Sequence, residues 1–353
     1  MKKQISAFLV IVFFVLIALS GSTSKAFAAG DDSNALQGKI IGFINAGPDD
    51  AYAVYKNMLE ECIRRAGGRL QYTVSDYNEQ RELNNASDLV NAGVDAIVVI
   101  PVNAQSGGQV CKLANEAGIP VFPMVMIPDV ETAGATWTSF ARNDQYASAY
   151  KVGEYVTEHF PGLNTVIIDG NLQQSAAVLF HRGFAEALVA AGEPEPKSVG
   201  EGRWSKDGAL RVAQDLIASG IEFDAIFVAN EEMTGGVVQA LQEAGVSGKK
   251  IYSVNGKEAG MEMIMRDELT VTIGNPPTLL SDLVAQIIIA HFKGEPVPHE
   301  VTYVTDNILV KATAHTAVPW EIERYFAMRD AGEIEYDLDF YVAEMQRRAA
   351  SGQ

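Results

Sequence analysis

Short apolar runs alternate with segments of helical periodicity along most of the chain. The first run, 39–45 (KIIGFIN), predicts a buried strand, and the periodic segment after it predicts a helix that begins at Asp49 or Asp50 and ends at Gly67-Gly68. Further strands are predicted at 69–74, 95–100, 119–124, 165–169, 225–229, 250–254 and 270–274. Further helices are predicted at 79–92, 105–117, 175–191, 206–219, 233–244, 259–267 and 278–293.

The predicted strands are apolar on both faces and alternate with amphipathic helices, which is typical of parallel sheets covered by helices. The fold class is therefore α/β. Because an open sheet rarely exceeds about ten strands, two sheets in two Rossmann-like lobes are favoured over a single sheet.

Asparagine recurs where the predicted strands end, and in open parallel sheets ligands bind outside these carboxyl ends. The residues concerned are Asn45, Asn103, Asn171, Asn230, Asn255 and Asn275. Their amides offer hydrogen-bond donors and acceptors without charge, which suits a neutral molecule that carries hydroxyl or amide groups.

The first 28 residues have the layout of a cleaved secretory signal. Two lysines supply a positive start, 8–19 is an almost unbroken apolar run, and Ala26 and Ala28 are the small residues that signal peptidase requires. The run is shorter than the roughly 20 residues that span a membrane, so cleavage after Ala28 is favoured over an anchor. No cysteine lies near the site, so a lipid anchor is not expected.

Composition and charge narrow the function class. The 353 residues include 27 Lys and Arg against 45 Asp and Glu, a formal charge of -18 that becomes -21 once a signal with three lysines and no acid is removed. Nucleic-acid binding needs a basic stripe and is not expected. The sequence has no G-x-S-x-G, H-E-x-x-H or Walker motif, and its five histidines lack metal-ligand spacing, so no enzyme activity, cofactor or metal is expected.

The two cysteines, Cys62 and Cys111, are too few for a disulfide scaffold. With right-handed crossovers, a strand order of 2-1-3 places the first helix on the opposite face of the sheet from the second and third helices. The two thiols are therefore expected on opposite faces, where they are free and mostly buried.

Several local patterns together carry a resemblance to a known family. The chain opens with IGFINAGPDDAY, continues with VNAGVDAIVVIPVNA and ANEAGIPVFPM, and later contains FVANEEMTGGVVQALQEAG, GKEAG and LTVTIGNPP. In their order and spacing they resemble a periplasmic solute-binding protein of the ribose/galactose type, the capture component of an ABC importer. The resemblance covers 39–313.

The resemblance implies two lobes, joined by a three-segment hinge, that close over a ligand. By position, the N-terminal lobe would comprise 38–142 and 276–305, and the C-terminal lobe 143–275 and 306–312. The crossings would lie near Arg142-Asn143, Asn275-Pro276 and Thr305-Asp306. Residues 313–353 form an extension beyond the family core, and its aromatic residues suggest that it docks on a lobe.

The resemblance also implies a set of ligand contacts. By position they are Asn45, Asp49, Tyr52, Asn143, Trp204, Asn230, Asn255 and Asn275. Tyr52, or Ala51 beside it, occupies the position of a stacking residue in the first lobe, and Trp204 occupies that position in the second. Apolar faces of sugars pack well on aromatic rings, whereas their hydroxyl groups need hydrogen bonds.

Three positions depart from the pattern of the family. Val125-Met126 stands where an acidic-basic pair is common after the fourth strand, and Val178 stands where an arginine is common in the first helix of the second lobe. A lost hydrogen bond to a charged group forfeits roughly 1.5–3 kcal/mol. The departures therefore imply a ligand with an apolar or deoxygenated face, such as a deoxysugar, a polyol, or an aromatic or nucleoside-like molecule.

Structural roles remain open for several of these residues. Asp49 also suits the N-cap of the first helix, and Tyr52 and Trp204 also suit packing positions. Asn230 and Asn255 are also typical of turns with left-handed backbone geometry.

Two function classes follow from the resemblance. The leading hypothesis is a monomeric periplasmic protein that captures a small neutral ligand between its lobes and hands it to an ABC permease. The alternative is a sensory receptor whose closed form engages a membrane histidine kinase or chemoreceptor.

Overall fold

The computed structural model describes residues 32–48, 50–303 and 307–334. The predicted signal at 1–28, Asp49, the crossing at Thr305-Asp306 and the last part of the extension lie outside the described residues. The expectations for these segments stay predictions.

The first lobe is built on a parallel sheet. Its elements in chain order are β1 (Ile40–Asn45), α1 (Asp50–Arg65), β2 (Arg69–Val74), α2 (Glu79–Asn91), β3 (Ala96–Val99), α3 (Ala104–Glu116), β4 (Val121–Pro123), α4 (Val130–Ala133) and β5 (Phe140–Asn143). Four of these strands form a sheet in the order β2-β1-β3-β4, and a single bridge from Met124 to Ala141 links it to β5. This confirms the predicted 2-1-3 start.

The second lobe repeats the scheme. Its elements are α5 (Gln145–His159), β6 (Thr165–Asp169), α6 (Ser175–Ala190), β7 (Lys197–Glu201), α7 (Lys206–Ser219), β8 (Ala225–Val228), α8 (Glu231–Glu243), β9 (Lys250–Tyr252), α9 (Glu258–Met265) and β10 (Thr272–Ile273). The sheet runs β7-β6-β8-β9, with all pairs parallel. The α/β class with two sheets in two lobes is confirmed.

The chain then returns to each lobe in turn. The remaining elements are α10 (Pro277–Phe292), β11 (Glu300–Tyr303), β12 (Ile308–Leu309) and α11 (Ile322–Asp330). Leu280 and Leu283 of α10 belong to the buried cluster that holds Phe43 and Met58 of the first lobe. β11 pairs with β5, whereas β12 pairs with β10, so the chain passes between the lobes three times up to this point.

Six elements were not predicted from the sequence: α4, β5, α5, β7, β11 and β12. α5 (QYASAYKVGEYVTEH) has a weak apolar stripe that Gly153 interrupts. β7 (KSVGE) is a polar edge strand whose residues are exposed or half-buried. Neither pattern carries a clear hydrophobic period.

Both cysteines are free and buried, as predicted. Cys62 belongs to the cluster formed by α1 and α10, and Cys111 belongs to the cluster formed by α2 and α3, on the other face of the sheet. Helical crossovers on the two faces therefore keep the thiols apart.

The extension docks on the first lobe through α11, close to the predicted helix at 320–329. Tyr325 and Phe326 are buried in the first-lobe core. Asp282 of α10 is 2% exposed, and its carboxylate accepts hydrogen bonds from the Tyr325 hydroxyl at 2.8 Å and from Arg329 Nη1 at 2.9 and 3.1 Å. Because a buried carboxylate is costly without such partners, this contact anchors the extension.

Candidate ligand-binding cleft

A cavity of about 640 Å³ lies between the lobes, beside the carboxyl ends of their strands. Its size is within the roughly 300–1,000 Å³ of small-molecule sites. The first-lobe wall consists of Pro48, Ala51, Tyr52, Tyr55, Val125, Met126 and Pro277. The second-lobe wall consists of Gln174, Ala176, Phe180, Trp204, Ser205, Lys206, Asp207, Asn230, Glu231, Glu232, Asn255 and Lys257. Asn143, Gln145 and Asn275 lie at the crossings, and Trp320 comes from the extension.

Most of the predicted contacts lie in this cavity. The ones that line it are Tyr52, Val125, Met126, Asn143, Trp204, Asn230, Asn255 and Asn275. Asn45 and Val178 lie outside the lining, and Asp49 is not among the described residues. That the lining residues touch a ligand stays a prediction.

Val178 requires a correction. It is 45% exposed on α6, whereas Ala176 and Phe180 of the same helix line the cavity. Residues four apart share a helix face, and the residue midway between them points away from that face. The contribution of α6 to the cleft therefore comes from Ala176 and Phe180.

Asn45 lies behind the cleft, where it supports Tyr52. Its side chain is fully buried, and Nδ2 donates to the carbonyl oxygen of Tyr52 at 3.2 Å and to the Tyr72 hydroxyl at 3.3 Å. The residue therefore positions the first turn of α1 instead of lining the cavity.

The first-lobe wall is apolar and locally strained. Val125 has a φ of 69°, and Met126 N donates to the carbonyl oxygen of Met124 at 2.8 Å, which closes a γ-turn centred on Val125. A positive φ is unfavourable for a β-branched residue, and such strain of about 1–3 kcal/mol is typical of functional sites. Val125 N donates to Ala141 O at 3.0 Å, which ties the turn to β5.

Trp204 lies at the edge of the second-lobe wall and is half-buried. Its Nε1 donates to Gln174 Oε1, and the ring packs so closely over Gly170 that a Cβ there would lie 2.4 Å from the indole. The residue also packs on the core of the second lobe. Trp204, which has a φ of 62°, therefore both packs on the core and lines the cleft.

Asn230 and Asn255 have structural roles in addition to lining the cleft. Asn230 caps α8, because its Oδ1 accepts from Met233 N at 2.8 Å. Its backbone is extended, so the left-handed interpretation is wrong for this residue. Asn255 has a φ of 106°, and its carbonyl oxygen accepts from Asn275 N at 2.8 Å.

The amides at the crossings are held by their neighbours. Asn143 Oδ1 accepts from Gln145 Nε2 at 3.1 Å, and Asn275 Oδ1 accepts from the Ser148 hydroxyl at 3.1 Å. Asn143 and Asn275 are 6% and 4% exposed. These bonds fix the orientation of both amides where the chain passes between the lobes.

None of the ligand contacts predicted from the sequence within the described residues is charged, but the cleft itself contains charged side chains. Five charged side chains line it: Lys206, Asp207, Glu231, Glu232 and Lys257. Their positions in the sequence could have predicted this. Four of the five directly follow the predicted contacts Trp204 and Asn230, in the first turns of α7 and α8. Two cations against three carboxyl groups leave the site close to balanced, which still suits a neutral ligand.

Glu231 is the most buried of these groups, at 2% exposed. Its Oε1 accepts from Gly256 N at 2.6 Å and from the Thr272 hydroxyl at 2.7 Å, so the carboxyl group joins α8 to the segments around β9 and β10. Burial raises the pKa of Glu231 to about 7, although these hydrogen bonds oppose the shift. Glu231 is therefore partly protonated near neutral pH.

Within the described part of the chain, no group of three His, Cys, Asp or Glu side chains is arranged to hold a metal ion. No helix in the described ranges is long and apolar enough to cross a membrane.

Comparison with known proteins supports the architecture. A family model for the periplasmic binding protein domain matches residues 41–296. The chain is 28% identical over 246 residues to the D-xylose-binding periplasmic protein of Escherichia coli, an alignment that covers 65% of this chain and 70% of that protein. It is 27% identical over 309 residues to a xylitol-binding protein of Mycolicibacterium smegmatis, with 83% and 84% covered.

Among solved structures, an ABC transporter solute-binding protein of Bacillus halodurans with bound myo-inositol superposes with a TM-score of 0.72. The sequence identity is 19%, and the superposition covers 79% of this chain and 97% of that protein. The family model spans both lobes and most of the cleft described above. The chain therefore belongs to the periplasmic binding protein domain family.

Proposed function

We propose that this chain is an exported solute-binding protein that captures a small neutral ligand in its cleft and delivers it to an ABC importer. The ligand is a sugar, deoxysugar or polyol, held between the lobes by hinge closure. The protein acts as a monomer in the periplasm and performs no chemistry on the ligand.

The asymmetry of the cleft is the observation that carries the proposal. The first-lobe wall offers aromatic and aliphatic surface, and the second-lobe wall and the crossings offer amides and balanced charges. A polyhydroxylated ring or chain with one less polar face matches this arrangement, because its C–H face packs on rings while its hydroxyl groups need hydrogen-bond partners.

The relatives support the same ligand class, since two of them are named for D-xylose and xylitol. The first of these is also named as periplasmic, which agrees with the predicted signal. Delivery to a permease follows from the import role in the names of further relatives, such as a fructose import binding protein of Bifidobacterium longum.

Ser205, whose hydroxyl group is the candidate nucleophile among the residues that line the cleft, is the N-cap of α7. Ser205 Oγ donates to Gly202 O at 3.2 Å and accepts from Gly208 N at 3.1 Å, so it caps α7. A hydroxyl group engaged in this way is not paired with a general base. The arrangement supports binding without turnover.

A thermal-shift screen tests the proposal. The ligands are D-xylose, xylitol, other pentoses, monodeoxy sugars, hexoses, nucleosides and small aromatic compounds. A ligand at 100-fold its dissociation constant stabilises the protein by about 2.7 kcal/mol. We expect such a shift from a polyol or from a sugar with a deoxygenated face. No shift with any sugar or polyol would contradict the proposal, and tight binding of ordinary hexoses would contradict the argument from Val125 and Met126.

Delivery is tested in the cell. Deletion of the gene is expected to abolish uptake of the radiolabelled ligand found in the screen. Normal uptake, combined with loss of a transcriptional response to that ligand, would instead favour the sensory role.

A further inference from the structure

The extension forms a fourth passage between the lobes. Ala314 and Ala317 pack against the core of the second lobe, whereas Tyr325 and Phe326 are buried in the core of the first lobe. Val318 already packs against the core of the first lobe, so the chain changes lobes after Ala317, beyond the three crossings expected from the resemblance.

This passage is hydrogen-bonded to both lobes. The Thr278 hydroxyl, in α10 of the first lobe, donates to the carbonyl oxygen of Pro319 at 2.8 Å. Glu258 Oε1, in α9 of the second lobe, accepts from Trp320 N at 2.7 Å and from Glu321 N at 3.3 Å. The backbone on either side of Trp320 is thus hydrogen-bonded to both lobes.

Trp320 lines the cleft and has an unusual indole group. The residue is 7% exposed, and its Nε1 is buried without a hydrogen-bond partner among the described residues. The other two tryptophans do not share this property, because Trp137 Nε1 donates to His299 O at 3.0 Å and Trp204 Nε1 donates to Gln174 Oε1. An unsatisfied buried donor costs about 1–3 kcal/mol, and buried polar groups are normally paired.

The surroundings of Trp320 favour a polar ligand group near its ring. Lys257 Nζ lies 5.9 Å from the centroid of the indole and 3.7 Å from Glu232 Oε2. A cation within about 6 Å of a ring face is attracted to it and does not pair with the indole N–H, which has no partner among the described residues. All three residues line the same cavity.

We propose that Trp320 is a ligand-binding residue supplied by the extension: on lobe closure its indole N–H donates a hydrogen bond to one hydroxyl oxygen of the ligand. The inference rests on the proposed function and adds a specificity-determining residue to it. A ligand that lacks that hydroxyl group leaves the donor unpaired, so the site discriminates against it.

The test uses the full mature chain and isothermal titration calorimetry. D-xylose and xylitol are titrated first, followed by the monodeoxy derivatives of whichever binds. Trp320→Phe removes the N–H and keeps an aromatic ring. Trp137→Phe is the matched control, because it removes an indole hydrogen bond outside the cleft.

We expect Trp320→Phe to weaken binding of the parent ligand about 3- to 10-fold, as the loss of one hydrogen bond predicts, and to leave the affinity for one monodeoxy derivative unchanged. A purely structural role would weaken all ligands equally, and that result would overturn the inference. Equal affinity of wild type and Trp320→Phe for the parent ligand would also overturn it. If wild type binds neither compound, nor any other sugar or polyol of the screen, both this inference and the proposed function fail.

Discussion

The two walls of the cleft differ in chemistry although they come from lobes of the same architecture. Among the described residues, the first-lobe wall consists of two tyrosines, two prolines, Ala51, Val125 and Met126, so its polar side-chain groups there are phenol hydroxyls. The second-lobe wall presents amides, a hydroxyl group and charged side chains around Phe180 and Trp204. The same strand-helix scheme thus supplies a packing surface on one side and a hydrogen-bonding surface on the other.

This difference indicates how the ligand is oriented. Hydrogen bonds define direction, so we expect the second-lobe wall and the crossing amides to orient the hydroxyl groups of the proposed ligand. Apolar contact is non-directional, so we expect the first-lobe wall to add affinity if closure removes water from it, as the proposed function requires. Strained backbone occurs on both sides, at Val125 in one wall and at Trp204 and Asn255 in the other.

The largest expected effect concerns Glu231, the buried carboxyl group of the second-lobe wall. Its pKa is raised by burial from 4.5 to about 7, so the folded protein binds more protons than the unfolded chain between these values. The stability from this group is present below pH 4.5 and is lost as the pH rises through about 7, a total of about 3 kcal/mol. Glu231→Gln is expected to remove that slope in urea unfolding measured from pH 4 to 8.

Glu82 provides the matched control in the first lobe. It is fully buried, its Oε1 accepts from Val102 N at 2.8 Å, and burial likewise raises its pKa to about 7. Glu82→Gln is expected to flatten the stability profile in the same window. Only Glu231→Gln should change the pH dependence of ligand affinity, because Glu82 does not line the cleft. Equal changes in both variants would show that the pH dependence of ligand affinity does not arise from the carboxyl group in the cleft.

A smaller effect is expected from Trp204, the largest ring of the second-lobe wall. Trp204→Ala should lower the affinity for the ligand found in the screen about 30-fold, or about 2 kcal/mol, because a large aromatic contact in a desolvated site is removed. Titration calorimetry measures the change, and circular dichroism checks that the fold is kept. Trp204→Phe retains a ring but loses the hydrogen bond to Gln174. Its affinity should lie between that of the wild type and that of Trp204→Ala. Unchanged affinity in Trp204→Ala would exclude this ring from the site.

The sequence was sufficient to predict the parts of the fold in which apolar runs alternate with helical periodicity. Buried strands such as Thr165–Asp169 follow from continuous apolar runs, and the separation of Cys62 and Cys111 follows from crossover handedness alone. Of the six asparagines at predicted strand ends, Asn230, Asn255 and Asn275 line the cleft, because parallel strands end at one edge of a sheet, whereas Asn45, Asn103 and Asn171 do not line it.

Other features depend on contacts that periodicity does not encode. The orientation of α6 places Ala176 and Phe180 in the cleft lining and Val178 outside it. A resemblance that matches residues position by position does not predict which face of a helix points to the cleft. Trp320 reaches the cleft because Thr278 and Glu258, both distant in sequence, hold its segment. Long-range hydrogen bonds of this kind leave no local signature.

The smallest effect expected here tests the apolar character of the first-lobe wall itself. Val125→Asn places an amide where the chain now has a β-branched side chain at a φ of 69°, a backbone conformation that asparagine tolerates better than valine. The variant should therefore fold with little loss of stability in urea unfolding. Its affinity for a ligand with a deoxygenated face should fall about 10-fold, because the amide loses water without gaining a partner. Affinity for a fully hydroxylated sugar should rise, since a hydroxyl group can pair with the amide. Equal loss for both ligands would mean that Val125 sets the shape of the cleft, and the contrast in polarity between the walls would then not govern ligand choice.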